Sequence, residues 1–107
     1  MANNYKNSKV DLSTTNVTTV YTAPSATQTV VKSLLVSNDS GSADTITVTI
    51  TDSAAAVFSV YKNEEVGALS SKELLSQPLV VMESEILKAT AATAGRLHVV
   101  ASYLEIT

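Results

Sequence analysis

Residues 45–51 read Thr-Ile-Thr-Val-Thr-Ile-Thr, a strict alternation of threonine with an aliphatic residue. Successive side chains of a β-strand point to opposite faces, so Ile46, Val48 and Ile50 share one face and the threonines share the other. The pattern therefore predicts an antiparallel strand with one buried face and one face lined by hydroxyl groups. We expect residues 56–62 (AVFSVYK) to return as its hairpin partner, with Phe58 beside Val60 on one face and an exposed bend at 63–65.

Short segments rich in β-branched residues recur along the rest of the chain. Seven or eight strands, separated by Gly, Pro, Asp and Ser, predict an all-β fold, a single antiparallel β-sandwich of the jelly-roll kind. The segment 66–75 also fits one helical turn at 71–75, but Pro78 follows closely and favours a short strand. The further predicted strands are 17–22, 29–37, a short one within 66–75, 79–82, 86–91 and 96–106.

Two of the predicted strands carry apolar side chains on both faces. In 29–37 we expect Val30, Leu34 and Val36 on one face and Val31 and Leu35 on the other. The strand 96–106 likewise alternates between two partly apolar rows. One sandwich core needs only one apolar face per strand, so contacts between subunits are the simplest use of the second face.

The first fifteen residues differ in composition from the rest. Residues 1–15 are rich in Asn, Ser, Thr and Lys, which predicts an extended N-terminal arm ahead of a sandwich domain at 16–107. Residues 1–9 contain no apolar stretch of the kind found in secretory signals, and the longest apolar run, 54–58, is too short to span a bilayer. We therefore expect synthesis in the cytoplasm and no membrane partner.

The charged residues argue against nucleic acid as a partner. The formal net charge is −3, and the seven Lys and Arg residues are scattered singly. Neutralising phosphates requires clustered cations. The four tyrosines, Tyr5, Tyr21, Tyr61 and Tyr103, do not interleave with basic residues as a base-stacking platform would.

The sequence offers few residues for catalysis. His98 is the only histidine and lies within a predicted strand, with Ser102 four residues further on the same face. No G-x-S-x-G elbow is present to expose a serine nucleophile. Glu83 and Glu85 could pair as acid and base, but two carboxylates so close in sequence are typical of a solvated turn, and Glu64-Glu65 is interpreted in the same way.

A metal or cofactor site is equally poorly supported. Asp39, Gly41 and Asp44 have the composition of a calcium loop, but their spacing does not fit one and no closing Glu follows. The chain has no cysteine and only three glycines, so it can form neither a thiolate site nor a glycine-rich phosphate loop. We therefore assign no catalytic, cofactor-binding or metal-binding residue and expect no enzymatic activity.

Four stretches of the chain form a distinctive series: 18–24 (TTVYTAP), 29–38 (TVVKSLLVSN), 41–43 (GSA) and 102–107 (SYLEIT). The series contains a long strand that ends in Asn38 and is followed by a Ser-Gly-Ser loop, then the alternating Thr strand, and finally the ending Ser-Tyr-Leu-Glu-Ile-Thr. Over about residues 17–107 this order resembles small virion structural proteins of tailed bacteriophages.

The resemblance implies a β-sandwich subunit of the virion, usually trimeric or otherwise symmetric. A capsid decoration or cement protein is the first hypothesis, with residues 1–15 and one loop end contacting the major capsid protein. A tail fibre, adaptor or receptor-binding component is the alternative, with host glycans recognised by loops 38–44 and 63–66. A hydrolase built on a jelly roll around His98 is the third. The resemblance supplies no catalytic residues.

Overall fold

The computed structural model describes residues 3–107, and its regular structure is entirely β. Within this range no helix is long and apolar enough to cross a membrane. Nine strands form in the described part of the chain, one more than the upper expectation, and the additional strand is β1. They are β1 (Asn3–Asp11), β2 (Thr18–Thr22), β3 (Gln28–Asn38), β4 (Asp44–Thr51), β5 (Val57–Val66), β6 (Ser70–Glu73), β7 (Leu79–Val81), β8 (Ile86–Ala91) and β9 (Leu97–Ile106).

The strands pair in a nested order that makes two antiparallel sheets. β1 pairs with β9, β2 with β8, β4 with β5, and β3 with both β6 and β7. The β3–β9 and β4–β8 pairs join these into a five-stranded and a four-stranded sheet. Because β6 and β7 lie along the same edge of β3, they act as one strand interrupted before Pro78, which has no N–H to donate. The eight resulting strands have the connectivity of a jelly roll, which confirms the expected fold class.

The core lies between the inner faces of the two sheets. Ile46 and Val48 are fully buried, as the alternation in 45–51 predicts, and Ile50 is half-buried near the end of the strand. Each fully buried aliphatic side chain contributes roughly 1.5–3 kcal/mol relative to an exposed one. Other fully buried members of the core are Leu12, Val31, Leu34, Val36, Val66, Val81, Leu87, Leu97, Val99 and Ala101.

A bulge in β3 corrects the expected assignment of its faces. The register between β3 and β9 shifts between Val31 and Ser33, so Lys32 is an extra residue that inverts the alternation. Val31 is consequently buried with Leu34, whereas Val30 lies on the outer face. The expectation that Val30 shares the inner face was therefore wrong.

The strand β5 also differs from expectation, both in where it ends and in which side chains share a face. It does not end in a bend at 63–65 but continues to Val66, because Asn63 adopts a left-handed conformation (φ 53°) that asparagine tolerates and pairing with β4 resumes beyond it. A second irregularity places an extra residue between Ser59 and Tyr61. Phe58 therefore shares a face with Tyr61 and not with Val60 as expected.

Residues 3–11 of the expected arm form a strand of the sandwich itself. β1 pairs with β9 along its whole length, at the edge of the five-stranded sheet. Met1 and Ala2, which belong to the same expected arm, lie outside the described residues. The boundary between residues 15 and 16 stays a prediction.

Candidate functional site

The outer face of the five-stranded sheet carries two rows of apolar side chains, with the polar row Asn7, Ser102 and Ser33 between them. Residues that pair directly across antiparallel strands point to the same side of a sheet. Leu104 on β9 pairs with Tyr5 on β1 and with Val30 on β3, and Val30 pairs in turn with Val80 on β7. A second row on the same side joins Val100 to Leu35. We call this set the apolar face; it comprises Tyr5, Val30, Leu35, Val80, Val100 and Leu104.

The apolar face is substantially open to solvent. Tyr5 is 74% exposed, Val80 50% and Leu35 39%, and the remaining three side chains are half-buried. Single exposed hydrophobic residues are ordinary, but an apolar row that crosses four strands makes this face a candidate interaction surface. The expectation of apolar residues on both faces of β3 and β9 is therefore confirmed.

The outer face of the four-stranded sheet has the opposite chemistry. Thr47 pairs with Thr90, and Thr49 pairs with both Lys88 and Ser59, so hydroxyl and ammonium groups line this side. These side chains are exposed or half-buried. The sandwich thus has one mainly polar outer face, with Val57 and Ile86 at one end of it. Its other outer face carries more apolar surface, and covering that surface would be favourable.

Charged groups border the apolar face. Lys32 Nζ lies 5.9 Å from the centre of the Tyr5 ring, close enough for a cation–π contact. Lys9 pairs with Val100, and Glu73 pairs with Leu35 at the opposite edge of the sheet. Protein–protein interfaces commonly combine apolar side chains with polar and charged groups at their margins.

The candidate catalytic pair of the sequence is not assembled. His98 and Ser102 both lie on the outer side of β9, four residues apart, which separates them by about 13 Å along a strand. The His98 imidazole lies instead between two exposed carboxylates, with Nε2 3.4 Å from Asp11 Oδ1 and Nδ1 3.9 Å from Asp39 Oδ2. These groups form part of the surface at one end of the sheet.

The candidate glutamate pairs support turns and local contacts. Glu83 accepts a hydrogen bond from the backbone N–H of Ala26, and Glu85 Oε1 accepts one from Met82 N at 2.8 Å. Glu64 Oε2 is paired with Lys72 Nζ at 2.7 Å. The lack of enzymatic activity stays a prediction.

The candidate calcium loop is closed by hydrogen bonds. Asn38 Nδ2 donates to the carbonyls of Ser42 and Val66, at 2.9 and 3.2 Å. Asp44, which is buried, accepts a hydrogen bond from Thr93 N. Across residues 3–107 no group of three or more His, Cys, Asp or Glu side chains could hold a metal ion.

A buried polar cluster, which the sequence interpretation missed, links the two sheets. Tyr21 on β2 reaches across the core, and its hydroxyl donates to Glu105 Oε2 at 2.5 Å and contacts Thr29 Oγ1 at 2.8 Å. Lys6 Nζ lies 2.9 Å from Glu105 Oε1. The Tyr21 ring packs on Tyr103, with centroids 4.2 Å apart. The period of β9 contained the signal, because Glu105 follows Leu97, Val99, Ala101 and Tyr103 at every second position.

This cluster makes stability depend on pH. The hydrogen bond from Tyr21 and the ammonium of Lys6 hold the pKa of Glu105 below its usual value of 4.5. The ionised Glu105 therefore stabilises the fold fully at pH values above its pKa in the unfolded chain. This stabilisation is lost as the pH falls through the pKa of Glu105 in the folded protein, which is the lower of the two. We expect the free energy of unfolding, measured with urea between pH 3 and pH 7, to be flat above about pH 5 and to fall below it.

Glu105→Gln is the control for this pH profile. Since glutamine does not titrate, the variant is less stable at neutral pH but loses less on acidification. An equally steep acid loss in the variant would show that other carboxylates are responsible.

Comparison with known proteins gives a fold relationship. No protein-family model and no curated protein matches the chain. A crystal structure of a pentameric capsid protein isolated from metagenomic phage sequences matches with a TM-score of 0.51 and 21% identity over 94% of this chain. A second crystal structure of the same description matches with a TM-score of 0.47 and 21% identity over 94% of this chain. This chain spans 60% of the length of each of these proteins. The fold of the present chain is thus similar to that of a phage capsid protein.

Proposed function

We propose that this chain is a structural protein of a phage virion, a capsid decoration or cement protein that binds the major capsid protein and stabilises the head. The observation that carries the proposal is the apolar face, set opposite a face of hydroxyl groups on the same sandwich. Jelly rolls are common in viral capsids, and the protein with the similar fold is a phage capsid protein. The resemblance of 17–107 to virion proteins of tailed phages points in the same direction.

Covering the apolar face would supply the binding energy. Removing a partly exposed valine or leucine side chain from water contributes on the order of 1 kcal/mol. The six side chains of the face would together give a weak to moderate contact for each copy. A ring that contacts the shell through several copies at once would bind it much more tightly than one copy does, because linked contacts raise the overall affinity.

We further propose that the chain acts as a closed ring of identical copies. The sequence resemblance favours a trimer, whereas the capsid protein of similar fold is described as pentameric. Both are cyclic assemblies built from one repeated contact. In this proposal the chain is made in the host cytoplasm, resides in the virion, and has no cofactor and no enzymatic activity.

Two substitutions on the apolar face test this function. Leu35→Lys combined with Val80→Lys should weaken binding to particles stripped of the protein by at least about 100-fold, since two charges would be buried at the contact. Binding is measured by co-sedimentation with the particles, and protection by the temperature at which they release DNA. The wild-type protein should restore heat resistance and the double variant should not.

The matched control places lysines on the opposite face. Thr49→Lys combined with Thr90→Lys adds the same charge to the hydroxyl-lined side and should leave binding unchanged. Intact binding by the apolar-face variant, or loss confined to the control variant, would overturn the proposal.

A role in the tail is the second candidate, and one observation favours it. The loop after β3 and the loop after β5 meet at one end of the sandwich, where Leu69 N donates to Ser40 O at 3.1 Å. Loops joined in this way could present a recognition surface for host glycans. Binding of the isolated protein to host cells, with no affinity for stripped heads, would favour this function.

A further inference from the structure

The strand β1 is attached to the sandwich almost entirely through β9. All nine of its residues pair with β9, from Asn3 opposite Ile106 to Asp11 opposite His98. Its side-chain bonds also go to β9: Lys6 to Glu105, and Ser8 Oγ to the Tyr103 hydroxyl at 3.1 Å. Residues 3–7 are exposed, and Val10 is the apolar side chain of β1 that packs against the core. The five-stranded sheet of any copy would therefore offer β1 the same partners, including Lys32 of β3 beside the Tyr5 ring.

One apolar side chain anchors the end of this strand. Leu12 is fully buried, its N–H donates to Leu97 O at 3.0 Å, and its carbonyl accepts from Gly95 N at 2.9 Å. Both backbone partners belong to β9 or to the turn that precedes it. Residues 3–12 thus form a mostly polar segment that is anchored at its end by Val10 and Leu12 and pairs with a single receptor strand.

The connection from this segment to β2 is a hinge. Residues 13–17 are exposed at every position, and three hydrogen bonds within 11–18 join residues only two positions apart. Five extended residues reach up to about 17 Å. Val17, in this loop, is 62% exposed.

We propose that residues 3–12 are exchanged between copies of this chain, so that β1 of one copy pairs with β9 of the next. The inference rests on the ring of identical copies in the proposed function and specifies its contact. Exchange preserves every β1–β9 hydrogen bond and the burial of Leu12. Its free-energy cost is therefore small and comes mainly from extending residues 13–17. The Lys6–Glu105 pair would then join two copies.

A cysteine pair tests the exchange, because the chain has no cysteine of its own. Asn7→Cys and Ser102→Cys stand directly opposite each other in the β1–β9 register, at a separation that a disulfide accepts. The full-length double variant is oxidised and run on a denaturing gel without reductant. Exchanged strands give covalently linked chains up to the size of the ring, whereas strands paired within one copy give monomer.

Each outcome decides the question. The control pair, Thr49→Cys with Ser59→Cys across the β4–β5 hairpin, should give monomer in every case. The native mass, measured before denaturation, shows whether the ring forms and so separates this inference from the proposed function. If the native mass is that of a ring but the denaturing gel shows only monomer, the exchange is overturned and the ring of the proposed function is retained. Free thiols after oxidation would mean that β1 pairs with β9 in no copy, which also overturns it. Loss of particle binding by the apolar-face variant tests the function independently.

Discussion

Leu12→Ala should lower the free energy of unfolding by about 2–5 kcal/mol, the range for removing a fully buried leucine. The side chain is the only fully buried one in residues 3–17 of the described chain, and it fixes the end of β1 beside Leu97. The loss should therefore loosen β1 first. Chemical unfolding gives the free energy, and limited proteolysis should show cleavage within residues 3–17 at denaturant concentrations where the rest of the sandwich resists.

Leu69→Ala is the matched control for this experiment. Leu69 is 75% exposed, so its truncation should change stability by no more than about 0.5 kcal/mol. Equal effects of the two substitutions, or uniform proteolysis in the Leu12 variant, would show that Leu12 does not anchor the strand.

Tyr21→Phe should cost about 1–3 kcal/mol, because it removes the hydroxyl that donates to the buried Glu105. The aromatic packing on Tyr103 would persist, so the effect isolates the hydrogen bonds. Without this donor the pKa of Glu105 should rise, and the acid loss of stability should begin at a higher pH than in the wild type. Urea unfolding at several pH values measures both effects.

Tyr61→Phe provides the comparison. Tyr61 is half-buried on β5, outside the polar cluster, and loss of its hydroxyl should leave both the stability and the pH profile nearly unchanged. Tyr21→Phe could lower the free energy of unfolding at neutral pH without changing the pH at which stability begins to fall. In that case the Tyr21 hydroxyl would not be the group that lowers the pKa of Glu105.

Local patterning was sufficient for the strands and the fold class. The alternation in 45–51 placed Ile46 and Val48 in the core, and the odd positions of β9 from Leu97 onward are the buried ones. Period-two burial depends on neighbouring residues alone, so a single sequence carries it. The same dependence makes errors in assigning the faces abrupt. One extra residue at Lys32 changes which of the following side chains point to the core.

Long-range relationships could not be predicted in this way. Tyr21 and Glu105 are 84 residues apart, and no local pattern indicates that they share a hydrogen bond. The apolar face was foreseen only as an excess of hydrophobic residues on two strands. Its continuity depends on the registers that bring Tyr5, Val80 and Leu104 into one row, and these follow from strand order.

The nested pairing has a consequence for biosynthesis. Ser8 and Tyr103, which are bonded partners on β1 and β9, are separated by 95 residues, and a ribosome adding about 5–20 residues per second needs roughly 5–20 s to make that stretch. During this interval an emerging β1 has no receptor strand of its own. If β1 is exchanged as proposed, the β9 strand of a finished neighbour on the same polysome would be available to it first, and assembly would begin while chains are still being translated.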